Sequence, residues 1–364
     1  MIELKTLSDA EVSGKRVLMR CDFDVPLDSR SGQATVVDDT RLKAAIPSIT
    51  YLKEKGAQKI ILIGHAGRPD GKVVEELRMA PIAARLATLV DMAGVEVKEN
   101  LRFDAREEAN DPAFAQGLAS LADLFVNESF ATAHRAHAST VGVAKILPSY
   151  AGLHFAEEVE KLSGALVPPQ GAVALIGGAK FETKSPLIEK LLVSYTTVMV
   201  GGALGNDILK SRGFPFGSSL ISSSAVPESI AGNERLLAPL DAYFMGGSMD
   251  GRSGPVTDTR VDEKIVDVGP QTAAAWSAII KNAPFVLWNG PMGIYEQGYT
   301  HGTDILAGVL ASSNARAVIG GGDTIAAVSK FAFDQQKIFI SSGGGAMLEF
   351  LTNGTLPAIE VLKR

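Results

Sequence analysis

The chain has 364 residues, a net charge of -6 and a hydrophobic content of 46%. These values indicate a folded protein with more than one core rather than a disordered or fibrous chain. The acidic balance excludes a broad basic surface, so we expect no nucleic-acid or membrane partner. Cys21 is the only cysteine, which excludes an internal disulfide. The single cysteine favours a reducing compartment, and the N-terminus lacks a basic segment followed by an apolar one. We therefore expect a cytoplasmic location.

Short apolar runs recur along the chain, and many end directly in glycine. In chain order they are RVLMRCDF, KIILIG, LADLFVN, AVALIGG, TVMVGG, AYFMGG, FVLWNG, ARAVIGGG and KIFISSGGG. Segments with helical periodicity, such as SPLIEKLLVSY and TAAAWSAIIKNA, lie between several of them. This alternation predicts an α/β protein with parallel sheets wrapped by helices. A glycine at the carboxyl end of such a strand lets backbone amides approach a ligand.

A domain boundary is predicted between Pro148 and Pro169, where a loop, a charged amphipathic helix and a Pro-Pro turn follow one another. Before this segment, the residues suited to binding a ligand are mainly Arg and His. After it, they are Gly, Lys, Asp and Asn. We therefore expect two lobes that hold different ligands.

Charged side chains of the first half follow predicted strands or lie in the loops after them. They are Asp22, Asp24, Arg41, His65, Arg68, Arg102, His134, Arg135 and His137. A single arginine is usually a solvated surface residue. Several Arg and His side chains at neighbouring strand ends instead predict a socket for a small polyanion, because a guanidinium binds phosphate or carboxylate through two donors. Asp22 and Asp24 could accept hydrogen bonds from ligand hydroxyls or pair with the arginines.

A metal site formed by His65, His134 and His137 is the competing interpretation. The interleaved guanidinium groups would repel a cation. Metal sites also usually recruit carboxylates or thiolates and supporting hydrogen bonds. The sequence therefore favours the anion socket.

Glycine-rich turns of the second half indicate phosphate binding. In LIGGAKFETKSP, Lys180 and Lys184 have the spacing that places two side chains on one helix face, although a plain helix-start turn fits too. In VIGGGDTIAAVSK, Gly320–Gly322 end a strand, and Thr324 opens a helix whose free amides can hold phosphate oxygens. Asp323 would then hold a divalent cation that bridges phosphates, or else simply cap the helix.

Two further motifs follow the same pattern. LWNGPMGIYE supplies Asn289, Pro291 and Glu296, and ISSGGGAMLEF contains a second triple-glycine turn. Glu296 could bind ribose hydroxyls or be an ordinary surface acid. The chain contains neither a Walker A motif nor the G-x-G-x-x-G dinucleotide fingerprint.

The motifs DFDVP, DDTR, GHAGRP, ENLRF, TAHRAH, GGAKFETK, WNGPMGIYE, GGGDT and SGGGA occur in this order across nearly the whole chain. By them the sequence closely resembles the phosphoglycerate kinases. The resemblance implies two doubly wound, Rossmann-like parallel-sheet lobes joined by a helix and hinge. It places an acid-substrate lobe at 1–153, a nucleotide-binding lobe at 154–349 and a tail at 350–364 that returns to the first lobe.

The resemblance also implies the reaction: reversible phosphoryl transfer between 1,3-bisphosphoglycerate and ADP, giving 3-phosphoglycerate and ATP. The implied cofactor is Mg²⁺ with ATP or ADP. The lobes are expected to close around both substrates, and the family implies a monomer. No general base is expected, since a carboxylate carries no proton at neutral pH and the loose transition state mainly requires positioning and charge neutralisation.

The family's site residues transfer to matching positions of this sequence. Those implied to bind 3-phosphoglycerate are Asp22, Phe23, Asp24, Arg41, His65, Ala66, Gly67, Arg68, Arg102, His134 and Arg135. Those implied to bind nucleotide are Gly178, Lys180, Lys184, Asn289, Pro291, Glu296, Gly320, Gly321, Gly322, Asp323 and Thr324, with Asp323 on the metal. Those implied in catalysis are Arg41, Lys180, Lys184, Gly321 and Gly322.

The sequence departs from the family pattern in places. Asp24 stands where Asn is usual, Gly64 and Ala66 replace Ser and Leu, and VGGALGNDILK lacks an aromatic residue after its glycines. Asp24 adds negative charge beside an anionic ligand unless it pairs with a neighbouring arginine. Two other functions stay open. One is a catalytically weak relative that only binds nucleotide, and the other is an NAD-dependent dehydrogenase, against which the missing fingerprint counts.

Overall fold

The computed structural model describes residues 2–28, 30, 34–246 and 251–364. The chain divides into two compact units. Unit 1 consists of the chain up to Glu160 together with Asn353–Arg364, and unit 2 consists of Lys161–Thr352. The limits 1–153, 154–349 and 350–364 remain our prediction for the functional lobes.

The helices and strands of the described residues alternate along most of the chain. The strands are β1 (Arg16–Arg20), β2 (Leu27–Asp28), β3 (Thr35–Val36), β4 (Lys59–Ile63), β5 (Val95–Val97), β6 (Leu124–Asn127), β7 (Ser149–Ala151), β8 (Val173–Ile176), β9 (Thr197–Val200), β10 (Leu236–Leu237), β11 (Asp241–Gly246), β12 (Arg252–Pro255), β13 (Glu263–Val268), β14 (Phe285–Asn289), β15 (Arg316–Gly320) and β16 (Ile338–Ser341). The α-helices are α1 (Thr40–Glu54), α2 (Ala80–Ala87), α3 (Ala105–Glu108), α4 (Pro112–Ala119), α5 (Leu153–Leu166), α6 (Phe181–Ser194), α7 (Gly202–Ser211), α8 (Glu228–Ala231), α9 (Pro270–Asn282), α10 (His301–Ser312), α11 (Gly322–Val328), α12 (Gly345–Asn353) and α13 (Pro357–Glu360). Within the described part of the chain, none of the helices combines the length and apolar character needed to cross a bilayer.

Unit 1 is built on a parallel sheet with the strand order β5-β4-β1-β6-β7. Met19 and Leu18, which are adjacent in β1, pack in separate apolar clusters because successive side chains point to opposite faces. Burial on both faces explains why these strands read as continuous apolar runs. Arg20 pairs with Ile63 and Asn127, so the carboxyl ends of β1, β4 and β6 lie together at one edge.

Unit 2 contains a second parallel sheet, in the order β10-β9-β8-β14-β15-β16. Asn289 pairs with Ile176 on one side and Gly320 on the other. The glycine-rich segments that follow these strands therefore begin at the same edge. Trp276 and Trp288 are fully buried in the apolar cluster against this sheet.

The predicted α/β class with two parallel-sheet lobes is confirmed, but one of the predicted apolar runs lies in an antiparallel sheet. The run AYFMGG forms most of β11, which pairs antiparallel with β12 and β13. β11 ends at Gly246 and β12 begins at Arg252, too short a connection for the crossover that parallel neighbours require. Gly247, the last residue of that run, lies outside the described residues.

The carboxyl-terminal segment contacts other parts of unit 1. Leu4 forms an isolated antiparallel bridge with Lys363. Nη2 of Arg364 lies 2.6 Å from Oδ1 of Asp9, and the Ala358 amide donates to the Ala133 carbonyl at 3.0 Å. The last of these contacts ties the segment to TAHRAH, the motif with the densest predicted cations.

Candidate functional site

Arg20 lies at the centre of the candidate anion socket of unit 1, although it is absent from the residues predicted to form that socket. It ends β1, and only 1% of the residue is exposed. Its Nη2 lies 2.9 Å from Nδ1 of His65, its Nε donates to Oγ of Ser139 at 3.1 Å, and its Nη1 donates to the Cys21 carbonyl. A guanidinium only donates hydrogen bonds, so Nδ1 of His65 accepts and Nε2 carries the ring proton.

Three arginines gather around two histidines in this socket. The pKa of His65 lies far below its ordinary value, first because the ring is buried and then because Arg20, Arg102, His137 and Arg135 are close to it. The pKa of His137 is lowered to about 4, first by burial and then by Arg102, Arg135 and Arg20. Both rings are therefore neutral at physiological pH, and the positive charge of the socket comes from guanidinium groups.

The histidine metal site is not supported by this arrangement. His65 receives a proton donor on Nδ1 and carries its own proton on Nε2, which leaves the neutral ring without a lone pair for a metal. Among residues 2–28, 30, 34–246 and 251–364, no group of three or more His, Cys, Asp or Glu side chains is arranged to hold a metal ion.

Asp24 and Arg102 hold the loop that follows β4. Oδ1 of Asp24 accepts from the Gly67 amide at 2.8 Å, and Nη1 of Arg102 donates to the Gly67 carbonyl at 3.0 Å. Gly67 has φ +65°, and a Cβ there would lie 2.8 Å from the Leu77 side chain, so the turn requires glycine. Asp24 thus binds a backbone amide rather than an arginine, a role that an asparagine oxygen fills equally well.

Asp22 makes the arginine pair that Asp24 does not. Nη1 of Arg41 lies 3.1 Å from Oδ2 of Asp22 and 3.3 Å from its Oδ1. Phe23, between the two acids, is fully buried, and a Cβ at Gly64 would lie 2.5 Å from its ring. Glycine at position 64, where the family usually has serine, therefore makes room for this ring, and the Phe23 side chain belongs to the core.

Arg102, His134 and Arg135 meet beside α3. Nε of Arg135 donates to Nε2 of His134 at 3.4 Å. Oε1 of Glu108 lies 3.2 Å from Nε of Arg102 and 3.9 Å from Nη1 of Arg135. The structure thus brings Arg102, His134 and Arg135 together, and both arginines also lower the pKa of His65. The binding of an anion by these residues stays a prediction.

The remaining predicted residues of unit 1 contribute differently. Ala66 is buried beneath the loop, while Arg68 is exposed. The guanidinium of Arg68 has no hydrogen bond or ion pair to any residue that the structure describes. An incoming anion could therefore bind Arg68 without breaking a contact to the described residues.

Lys184 is the central cation of the candidate nucleotide site in unit 2. Its Nζ donates to the Gly177 carbonyl at 2.6 Å. Burial lowers its pKa to about 8, and nearby Asp323 opposes that shift. Lys180 does not share a helix face with it, contrary to the prediction. Lys180 precedes α6 with φ +65°, and its side chain is exposed. The left-handed conformation redirects the chain before the helix begins.

The GGGDT turn joins β15 to α11. The helix begins at Gly322 rather than at the predicted Thr324. Thr324 is fully buried, and its Oγ1 accepts from the Gly290 amide at 2.6 Å. It therefore ties two loops together, and its role in nucleotide binding stays a prediction. Asp323 lies exposed in the first turn, where Oδ1 accepts from the Tyr295 hydroxyl at 3.2 Å.

Asn289 has a structural role beside this turn. It is buried at the end of β14, and its Nδ2 donates to the Gly320 carbonyl at 3.0 Å. Gly321 has φ +93°, and a Cβ there would lie 2.9 Å from this Nδ2. The turn therefore requires glycine at position 321 on two independent grounds.

We expect Gly321→Ala to lower the free energy of unfolding by about 1–3 kcal/mol, because alanine is strained at positive φ and its Cβ would displace Asn289. Gly322→Ala is the matched control. No atom lies within 4 Å of a Cβ at position 322, so this change should raise stability or leave it unaltered. Urea titration of both variants measures the difference. Equal stabilities would contradict the requirement for glycine at 321.

A cavity of about 360 Å³ in unit 2 combines predicted and unpredicted residues. Gly178, Pro291, Glu296 and Asp323 were predicted and line it. The unpredicted lining includes Gly202, Asn206, Leu220, Pro239, Lys264, Ile265 and Asp267. Several of these lie on β13, and the sequence of this antiparallel strand contains no glycine-rich or cationic motif that would indicate a binding site. A mostly apolar cavity with a few polar groups suits a planar ring system with a polar extension.

Comparison with known proteins identifies similar chains. Residues 7–98 and 92–354 match the family model described as phosphoglycerate kinase. The phosphoglycerate kinase of Moorella thermoacetica is 41% identical, over 98% of this chain and 98% of the relative, and that of Roseiflexus sp. is 40% identical over the same shares. Among solved structures, phosphoglycerate kinase from Coxiella burnetii has a TM-score of 0.87 and 34% identity, covering 99% of this chain and 98% of that one. The enzyme from Pyrococcus horikoshii has a TM-score of 0.82 and 27% identity over the same shares.

Proposed function

This chain belongs to the phosphoglycerate kinase family and is a glycolytic phosphotransferase, and we propose that it binds 3-phosphoglycerate in unit 1 and MgATP or MgADP in unit 2. The observation that carries the proposal for unit 1 is the convergence of Arg20, Arg102 and Arg135 on His65 and His137. Guanidinium groups around neutral imidazoles suit a small ligand that carries a phosphate and a carboxylate.

The proposed mechanism relies on positioning and charge. In the direction of ATP use, a carboxylate oxygen of 3-phosphoglycerate attacks the γ-phosphorus while the bond to the β-phosphate oxygen breaks. The carboxylate is already ionised, so no side chain has to remove a proton. Arg41 and Lys184, with the amides of Gly321 and Gly322, are the groups that we propose to neutralise the transferring phosphoryl oxygens.

The proposed nucleotide site uses the cavity of unit 2. The apolar lining suits the base, and Glu296, which lines the same cavity, would accept hydrogen bonds from ribose hydroxyls. Gly178 and Asp323 line it as well, so the phosphates would extend towards Lys184 and the start of α11. Lys180, exposed ahead of α6, is free to turn towards them.

Asp323 is the residue that we propose as the protein ligand of Mg²⁺. The carboxylate is exposed, and only its Oδ1 takes part in the contact with Tyr295. Mg²⁺ in nucleotide sites uses one or two carboxylates together with phosphate oxygens and waters, so a single acid fits an ion that arrives with the nucleotide. When bound, the ion would neutralise phosphate charge.

We further propose a cytoplasmic monomer that acts without a nucleic-acid or membrane partner. The net charge of -6 and the single buried cysteine support this. Closure of the lobes around both substrates is also part of the proposal, because an acyl phosphate has to be shielded from water.

Lys184 gives the proposed site a pH dependence. Since its pKa in the folded protein is lowered to about 8, the ammonium loses its proton as pH rises through that value. We expect kcat/KM for MgATP to fall above about pH 8. In Lys184→Arg the guanidinium stays charged, so the falling limb should move to higher pH. An unchanged limb in this variant would show that another group titrates.

The test of the proposed function is ATP-dependent formation of 1,3-bisphosphoglycerate from 3-phosphoglycerate, coupled to NADH oxidation by glyceraldehyde-3-phosphate dehydrogenase. Turnover that requires Mg²⁺ and both substrates is the expected result. Nucleotide binding without turnover would favour the weak relative that only binds nucleotide. Tight NADH binding in a fluorescence titration would favour the dehydrogenase.

A further inference from the structure

Glu108 places a protein carboxylate inside the candidate anion socket. It is the last residue of α3, and its single oxygen Oε1 contacts both Arg102 and Arg135, at 3.2 Å and 3.9 Å. These are two of the arginines assigned to the acid substrate. The side chain of Glu108 is 38% exposed, so the carboxylate can rotate into water without a large desolvation change.

The neighbouring Glu107, in contrast, is held in place by hydrogen bonds. It is buried, and both of its oxygens are occupied by Ser139: Oε1 accepts from the hydroxyl at 2.5 Å and Oε2 from the amide at 3.0 Å. Glu107 cannot leave without exposing unpaired buried groups. Among the residues that the structure describes, the Glu108 side chain has only the ion pairs with Arg102 and Arg135, so it is the movable member of the pair.

The arginines keep other partners when Glu108 leaves. Nη1 of Arg102 remains on the Gly67 carbonyl, and Nε of Arg135 remains on His134. Both guanidinium groups would therefore stay in position while presenting unoccupied donors. An incoming phosphate or carboxylate could take the place of the Glu108 oxygen.

Electrostatics explains why a removable acid lies at this position. Burial lowers the pKa of Arg102, Glu108 opposes that shift, and Arg135 and Arg20 add to it. Three guanidinium groups without a bound anion repel one another. Glu108 offsets this repulsion in the empty site and would have to be displaced when an anion binds.

We propose that Glu108 is an exchangeable counter-ion of the anion socket, which neutralises Arg102 and Arg135 in the empty site and is displaced by an anionic group of the acid substrate. This inference rests on the proposed function, because it takes that substrate to be 3-phosphoglycerate. Breaking the Glu108 contacts reduces the net affinity for the substrate and favours its release. Glu108 thereby sets the affinity of the site without touching the reacting atoms.

Glu108→Gln tests the inference through two effects of opposite sign. The substitution keeps the shape of the side chain but removes its charge. We expect KM for 3-phosphoglycerate to fall by about threefold to tenfold, as for loss of a competing, partly exposed ion pair, with kcat changed by less than about twofold. The unliganded variant should have a lower Tm, because the arginines lose their counter-charge. A merely structural residue would weaken both stability and binding.

Glu96→Gln is the matched control. Glu96 also bridges two cations, Lys59 at 2.6 Å and Lys98 at 2.5 Å, and its side chain is 36% exposed. The change in net charge is identical, yet Glu96 lies on β5 and contacts neither Arg102 nor Arg135. Its KM for 3-phosphoglycerate should equal that of the wild type.

The possible failures are separable. If the wild type turns over and Glu108→Gln has an unchanged or higher KM, the counter-ion role is wrong. If the wild type does not phosphorylate 3-phosphoglycerate, the proposed function is wrong. Calorimetric titration with inorganic phosphate then still decides the role of Glu108. Tighter binding to Glu108→Gln than to the wild type would support an exchangeable counter-ion, and equal binding would overturn it.

Discussion

Arg41→Ala is expected to reduce kcat by about 10²- to 10³-fold and to leave the fold intact. The rate effect follows from losing a cation that neutralises the transferring phosphoryl group, by analogy with loss of an oxyanion donor. The stability effect is small because the Arg41 side chain is 39% exposed and pairs with Asp22 at 3.1 Å, and partly exposed pairs contribute little. Steady-state kcat in the coupled assay and a thermal melt measure the two effects.

Arg85→Ala provides the control for this experiment. Arg85 is 43% exposed and lies 2.6 Å from Asp39, so the two arginines are alike in exposure and in having an aspartate partner. Arg85 is not assigned to a ligand, and its removal should leave kcat within about twofold of the wild type. If Arg41→Ala keeps a kcat close to that of the wild type, Arg41 does not stabilise the transition state.

Lys184→Met is expected to lower kcat/KM by about 10²- to 10³-fold and at the same time to raise the free energy of unfolding at neutral pH. The folded protein lowers the pKa of Lys184 from 10.5 to about 8, mainly through burial. A lysine whose pKa is lower in the folded state destabilises the fold while it is charged. The penalty is full below about pH 8 and disappears as pH rises towards 10.5.

The expected gain in stability is on the order of 1–2 kcal/mol, because relief of the buried charge is partly offset by the Gly177 carbonyl losing its hydrogen bond. Urea titrations at pH 7 and pH 10 should show that the stability advantage of the variant is smaller at the higher pH.

The control is Lys190→Met on the same helix. Lys190 also donates to a carbonyl, that of Thr352 at 2.9 Å, but it is exposed. This change should alter neither activity nor stability by more than about 0.5 kcal/mol. A Lys184→Met variant less stable than the wild type at pH 7 would contradict the burial argument.

The sequence by itself determined the class of fold and predicted the chemistry of both candidate sites. Apolar runs alternate with helical periodicity, and burial of a parallel sheet on both faces requires that pattern. The run Gly320–Gly322 predicted a tight turn between a strand and a helix, because such turns need the backbone freedom of glycine. Arg102, Arg135 and Lys184 follow strand ends, where parallel sheets present residues to ligands.

Only the tertiary structure decided what each charged residue does. Glu107 and Glu108 are adjacent and chemically identical, yet Glu107 is buried and bound to Ser139, whereas Glu108 is half-exposed and contacts Arg102 and Arg135. In the sequence, Arg20 is a single charged residue in an apolar strand with no evident role. The pairing of β1 with β4 brings its guanidinium to His65. These roles depend on strand register and on loops that meet across the sheet edge. Such contacts join distant parts of the chain, so local periodicity and residue type carry no record of them.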